Sequence, residues 1–195
     1  MQRKTEIERN TKETQIKLSL SFSPEAGGKF KGTSGIGFFD HMLNSFAVHG
    51  CFDIDLQMTG DLHVDGHHTV EDVGIVLGKA LSDIAADKSN INRFGSAFVP
   101  MDETLGFAAL DFSGRPFLVF DCAFTGRRTG QFDFQLVEEF FRALATNSFS
   151  TLHLKVHYGK NDHHKAEALF KAAARAYCEA LTLNNKCILS TKGSL

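Results

Sequence analysis

Asp65-Gly66-His67-His68-Thr69-Val70-Glu71 is the stretch from which the rest of the chain can be read, because it returns as Asn161-Asp162-His163-His164-Lys165-Ala166-Glu167. Each copy follows a segment with strand patterning and a glycine-containing turn, and each leads into a long run with helical spacing. Upstream, the first copy has Asp40-His41-Met42-Leu43 and the second has Glu138-Glu139-Phe140-Phe141. His41 precedes His67 by 26 residues, and Glu139 precedes His163 by 24. A polar motif at the same place in two similarly patterned halves indicates a duplicated unit.

Working outward, Gln15 to Phe22 puts Ile16, Leu18, Leu20 and Phe22 on one side, the signature of a half-buried strand. Pro24-Glu25-Ala26-Gly27-Gly28 reads as a loop. Phe39, Met42, Leu43 and Phe46 predict a helix over Phe38 to Val48. Strands are predicted at Phe52 to Met58 and Leu62 to Val64, and a helix from Thr69 to Ala86. The second half has strand patterns at Leu105 to Phe112 and Phe117 to Phe124, joined by Ser113-Gly114-Arg115-Pro116. A helix over Leu136 to Ala145, a strand over Leu152 to Tyr158 and a helix over His164 to Leu181 follow. No linker separates the halves. The expected fold class is α/β, an α+β sandwich of internally duplicated half-domains, each a sheet packed against helices. It forms a single domain over 1–195, with repeats of about 1–95 and 96–195.

The motif has a physical logic. Helix residues four apart share a face. His67 with Glu71, and His163 with Glu167, can therefore each clamp one ion. His68 and His164 point about 100° away around the helix and must serve another ion. This arithmetic gives two metals, each held by an i,i+4 pair from one repeat and a single His from the other. Imidazole with carboxylate suits Mn, Fe, Zn or Ni better than Ca or Mg. A single His-x-x-x-Glu is usually just a polar helix start, but two copies in register within a repeat point to metal. His41 is either a third ligand or a packed core histidine. His49 ends its helix as a cap or a substrate contact. His63, His153 and His157 read as surface or structural residues on strands, and Asp102-Glu103 as structural.

Composition narrows the class. Hydrophobic content of 43% supports a real core, and charged content of 23% is ordinary for a soluble protein. A formal net charge of -2 gives no reason to expect nucleic acid or an anionic membrane as a partner. No apolar run approaches the roughly 18 residues that span a bilayer. The charged start, Met1-Gln2-Arg3-Lys4-Thr5-Glu6, lacks a signal-peptide apolar region, so the expected compartment is the cytoplasm. Cys51, Cys122, Cys178 and Cys187 are scattered, as expected of unpaired thiols there.

Further segments complete a resemblance. Phe38-Phe39-Asp40-His41-Met42-Leu43, the two histidine motifs, Ser113-Gly114-Arg115-Pro116 and Glu167-Ala168-Leu169-Phe170-Lys171-Ala172 resemble the imidazoleglycerol-phosphate dehydratase family. The likeness runs from Arg9-Asn10-Thr11-Lys12-Glu13-Thr14 to Ser190-Thr191-Lys192-Gly193. It implies a Mn-dependent lyase of histidine biosynthesis that removes water from imidazole glycerol phosphate to give imidazole acetol phosphate. It implies two Mn(II) ions per active site. One would be held by His41, His68, His163 and Glu167, the other by His67, Glu71, His164 and the residue aligned with Glu139. Many relatives have His where this chain has Glu139. That carboxylate either still ligates, Mn(II) being fairly hard, or stands free and leaves a weaker site. Gly66, where Asp is common, concerns only the turn.

The resemblance also assigns Glu13 as the acid/base beside the reacting carbons, with His67, Glu71 and His164 completing the catalytic set. Substrate contacts are implied for Glu13, His41 and His49, and phosphate contacts for Arg93, Arg115, Lys171, Ser190 and Lys192. The expected partners are a small phosphorylated imidazole and further copies of the chain, in a twenty-four-subunit shell built from trimers with metal sites where subunits meet. Metals on an imidazole ring ease its deprotonation, and the anion can expel the adjacent hydroxyl. Two other classes remain: a dinuclear metallohydrolase, and a non-catalytic metal-binding cage.

Overall fold

The computed structural model describes residues 3–86 and 90–184. Two four-stranded sheets are built from β1 (Arg3–Asn10), β2 (Thr14–Phe22), β3 (Lys29–Gly32) and β4 (Phe52–Gly60), and from β5 (Phe94–Met101), β6 (Thr104–Asp111), β7 (Phe117–Asp121) and β10 (Thr151–Tyr158). Their orders are β1-β2-β4-β3 and β5-β6-β10-β7. In each sheet the last strand of the order runs parallel to its neighbour and the other pairs are antiparallel. Four helices complete the halves: α1 (Gly37–Gly50) and α2 (His67–Ile84), then α3 (Gln135–Asn147) and α4 (Asp162–Leu181). A short hairpin of β8 (Arg128–Thr129) and β9 (Phe132–Asp133) precedes α3.

The halves join through their helices: α1 packs on α4 and α2 on α3, while the sheets lie outside. The first helix of each half therefore meets the second helix of the other. Large apolar residues fill the first sheet's inner face, among them Ile16, Leu18, Phe52 and Ile54. The second sheet is packed differently. Its inner face has Gly95, Gly106 and Ala108 against the alanine-rich α4. A Cβ on Gly95 would stand 2.0 Å from the Ala176 carbonyl oxygen, and one on Gly106 would stand 2.9 Å from the Ala168 Cβ. These glycines let the helix lie close against the strands. Buried Tyr177 is held by Ser148 and Ser150 at 3.1 and 3.0 Å.

Several elements differ from the periodicity reading. Leu62 to Val64 is a turn, not a strand, closed by the Val64 N–H donating to the Asp61 carbonyl at 2.8 Å, and His63 lies on it. The strand expected to reach Phe124 stops at Asp121, because Lys165 takes the Ala123 carbonyl and Asp162 takes the Thr125 and Gly126 amides. Strands β1, β3 and β5 lacked an alternation to detect. β1 is polar on both faces apart from Ile7, β3 has four residues, and β5 turns Phe94 and Phe98 outward while Gly95, Ala97 and Val99 face the core.

Candidate metal centre

Both histidine motifs open helices because a polar side chain holds the first amides. Asn161 Oδ1 accepts from the backbone N–H of His163 at 2.9 Å and of His164 at 3.4 Å. Asp65 Oδ1 accepts from the His67 N–H at 2.8 Å. Each pair of histidines therefore sits in the first turn of its helix, with side chains free of capping duty.

The α1–α4 contact gathers three donors from the two halves. His163 Nε2 is 3.1 Å from Glu167 Oε2, and His41 Nε2 is 3.4 Å from the same oxygen. One ligand atom from each of His41, His163 and Glu167 lies within 4.8 Å of the others. Among the described residues no other group of this kind closes as tightly. Lys171, one turn along α4, donates to Glu167 Oε1 at 2.6 Å. Burial works against ionisation of Glu167, but Lys171 and the two histidines outweigh it, so its pKa falls below the usual carboxylate value.

The α2–α3 contact has the same plan and gathers fewer donors. His67 Nε2 and Glu71 Oε2 are 3.7 Å apart on α2. Glu139 on α3 lies 4.0 Å from Arg142 Nε, beside the Glu138–Arg142 pair. A cavity of about 530 Å³ opens beside His67, with Arg127, Arg128 and Gln131 on its far side.

His68 and His164 are placed apart from both groups within one chain. His68 Nδ1 is 2.9 Å from Asp61 Oδ2, and its Nε2 is 3.9 Å from Glu13 Oε1. His164 Nδ1 is 2.7 Å from Glu103 Oε2, and its Nε2 is 3.6 Å from Asp102 Oδ2. In each case a carboxylate takes Nδ1, the arrangement that orients a metal-binding imidazole, while Nε2 stands at ion-pair distance from a second carboxylate, Glu13 or Asp102. The hydrogen bond to Asp61 raises the His68 pKa above the ordinary histidine value. Glu103 also accepts the Lys160 and Asn161 amides at 3.0 and 2.8 Å, and its own pKa is strongly lowered, the Asn161 amide contributing most. Reading the sequence missed Asp61 as an orienting carboxylate. Its only signal was its position in the turn ahead of the first motif, matching Glu103 ahead of the second in space but not in spacing.

The substrate-contact candidates fall in different places. Glu13 is exposed on the β1–β2 turn, in a cleft of about 210 Å³ with Asp61 and His63. His49 faces Lys171 and Arg175, and burial together with these cations lowers its pKa. Arg93, with φ of 70°, pairs with Asp111 at 2.7 and 3.1 Å near the far end of α4. Arg115 is exposed on its turn. Thus Arg93 and Arg115 are not gathered with Lys171 within one chain. Ser190 and Lys192 lie outside the described residues.

The fold aligns with solved structures of duplicated α/β dehydratases, enzymes of the carbon–oxygen lyase class. The crystal structure of imidazoleglycerol-phosphate dehydratase from Staphylococcus aureus superposes with a TM-score of 0.83 at 37% identity, covering 93% of this chain and 100% of that one. The enzyme from Pyrococcus furiosus superposes with a TM-score of 0.82 at 34% identity, covering 97% and 100%. Imidazoleglycerol-phosphate dehydratase of Streptococcus thermophilus is 57% identical over 195 residues, 99% of this chain and 100% of the relative. That of Acetivibrio thermocellus is 52% identical over 197 residues, spanning both chains fully. Residues 34–177 match the family model for imidazoleglycerol-phosphate dehydratase. The chain belongs to that family, and its activity is the dehydration step of histidine biosynthesis.

Proposed function

We propose that the dehydration runs on two Mn(II) ions per active site, with imidazole glycerol phosphate as substrate and imidazole acetol phosphate as product. The observation that carries the metal assignment is the convergence of His41, His163 and Glu167 across the α1–α4 contact. Two imidazoles and a carboxylate suit a borderline divalent ion. His67, Glu71 and Glu139 are the corresponding donors on α2 and α3. His68 and His164, each held at Nδ1 by a carboxylate and standing apart from both donor groups of their own chain, serve as the single ligands that a neighbouring copy receives. Bound in these sites, the ions supply Lewis acidity to the substrate's imidazole ring.

The chain's own residues have separate tasks in this reading. Glu13, with His68 Nε2 at 3.9 Å, is the group that moves the proton at the reacting carbons. His67, Glu71 and His164 hold the reacting ring in place, and His41 and His49 line its approach. Lys171 meets the phosphate from α4. Arg93 and Arg115 meet it from a neighbouring copy, since they stand away from Lys171 in one chain, and Ser190 and Lys192, outside the described residues, are phosphate contacts by family likeness alone. A homo-oligomer follows, a twenty-four-subunit shell of trimers by family likeness. The cytoplasm is the matching compartment; no helix among the described residues is long and apolar enough to cross a membrane.

The test is product formation from imidazole glycerol phosphate by Mn(II)-loaded protein at rising chelator concentration. Product that depends on Mn(II) and disappears with chelator is the expected result. Turnover by metal-free protein would overturn the assignment. A metallohydrolase reading has no comparable support here, since nothing in the site favours a scissile ester over an imidazole.

A further inference from the structure

Glu13 and Glu103 hold the same place in the two halves. Thr11-Lys12-Glu13-Thr14 turns β1 into β2, and Met101-Asp102-Glu103-Thr104 turns β5 into β6. Their surroundings differ. Glu103 is fully occupied: it takes His164 Nδ1, the Lys160 and Asn161 amides, and the Thr104 hydroxyl at 3.2 Å. In the first half Asp61 does the corresponding work on His68, which leaves the Glu13 carboxylate open. The Glu13 side chain is 54% exposed, with His68 Nε2 at 3.9 Å. An open carboxylate on an exposed turn has no fixed place of its own, so another group has to set where it stands.

We propose that Asp72 is a positioning residue for the dehydration, clamping the Glu13 turn onto α2 so that its carboxylate stands beside His68 and the reacting carbons. The proposal rests on the reading of Glu13 as the group that moves the proton. Asp72 is 4% exposed, and both its oxygens are engaged by the hairpin. Oδ2 accepts from the Thr14 hydroxyl, and Oδ1 pairs with the Arg9 guanidinium at 2.9 Å. Arg9 lies on β1 and Thr14 on β2, so one carboxylate grips both strands where they enter and leave the turn. The Thr11 hydroxyl ties the turn to itself, accepting the Glu13 N–H at 3.1 Å and the Thr14 N–H at 2.9 Å. The Thr11 N–H donates to the Thr14 carbonyl at 2.8 Å. The Glu13 backbone is thereby fixed relative to α2, the helix that has His68 and Glu71. The second half shows that the packing itself asks for no charge here. One residue after its motif glutamate α4 has Ala168, lying so close to β6 that a Cβ on Gly106 would stand 2.9 Å from the Ala168 Cβ. Burying a carboxylate is destabilising unless it is fully paired. The half with the open glutamate is the half that buries one, and it pairs both oxygens to the strands flanking that glutamate.

The experiment measures kcat and KM on imidazole glycerol phosphate, and Mn(II) affinity by isothermal titration, for the parent, Asp72→Asn, Glu13→Gln and the double variant, with circular dichroism as the folding check. Asp72→Asn is expected to lower kcat about 10–100-fold, since displacing a reacting group by about 1 Å can cost that much. KM and Mn(II) affinity should stay within a few-fold of the parent. In the Glu13→Gln background the same change should lower kcat by no more than about twofold, because its effect passes through Glu13. Where Asp72→Asn does not fold, Thr14→Val removes the hydroxyl from the clamp and should give a similar fall in kcat, which Thr14→Ser largely restores. Parental kcat in folded Asp72→Asn would overturn the proposal. So would a fall that multiplies with that of Glu13→Gln, or Mn(II) affinity falling together with kcat, since Asp72 would then support only α2 or its metal ligands. Each of these results leaves Glu13 standing as the acid/base. Near-parental turnover in Glu13→Gln would remove that acid/base reading, and the clamp with it.

Discussion

The α1–α4 and α2–α3 contacts have the same motif on the same pair of elements, yet they differ in what they assemble. The first brings His41, His163 and Glu167 within 4.8 Å; the second leaves Glu139 beside Arg142 and only His67 and Glu71 facing each other at 3.7 Å. Two local substitutions account for the difference. Glu167 has Lys171 one turn on, whereas Glu71 has Ile75 at the equivalent place. The Glu167 side chain is 7% exposed and ion-paired, and the Glu71 side chain is 44% exposed. In the α1 position His41 reaches across, while in the α3 position a carboxylate is attracted to the neighbouring guanidinium. Duplication copies the frame of a site, and single residues then decide how far it is preorganised.

The largest effect that would break this comparison is at Glu167. Glu167→Gln is expected to weaken Mn(II) binding at the α1–α4 group by at least the roughly 100-fold upper end of an orienting-residue loss. Isothermal titration reads this directly, and affinity within a few-fold of the parent would dissolve the trio as a site. Next come Asp61→Asn and Glu103→Gln, which leave every ligand in place but release His68 or His164. Each should cost about 10–100-fold in metal affinity or turnover. If the two variants differ sharply, the carboxylates are not equivalent. Glu139→Ala tests the weaker group. A loss of about tenfold or less in affinity for one of two ions is expected, and unchanged binding would remove Glu139 from the ligand set.

The smallest effect concerns the frame of α4 alone. Burial opposes ionisation of Asp162, but Lys165, the Gly126 amide and Thr125 outweigh it and hold its pKa at about 2. An aspartate in an unfolded chain ionises near 3.9. Its contribution is therefore complete above pH of about 4 and is lost as pH falls through about 2. Asp162→Asn should cost about 1–3 kcal/mol at neutral pH, since Lys165 and the loop amides lose a charged acceptor. The variant should also lose less further stability between about pH 4 and 2 than the parent. Chemical denaturation across that range checks both; a parallel loss in both proteins would show that another group is responsible.

Much of this was legible because the residues that matter lie in short local patterns. The four helices and strands β2, β4, β6 and β10 follow from spacing, since each has one apolar face. The i,i+4 pairs His67–Glu71 and His163–Glu167 follow from helix geometry. Strand β5 was not legible because Phe94 and Phe98 point outward while its core side opens with Gly95 and Ala97 before Val99, which blurs the usual contrast. Asp61 was not legible because the turn that delivers it to His68 read as a strand.

By itself, then, the sequence determined the duplicated architecture, the two helix-start motifs and the pairing of donors four residues apart, all set within a turn or two of backbone. Only the tertiary structure decided which donors meet. Because α1 packs on α4 and α2 on α3, His41 joins Glu167, a residue 126 positions away, instead of the motif of its own half. It also decided that one sheet turns charge outward and its sister turns phenylalanine outward. Period-two alternation assigns side chains to two faces, but only packing against a helix says which face is the interior.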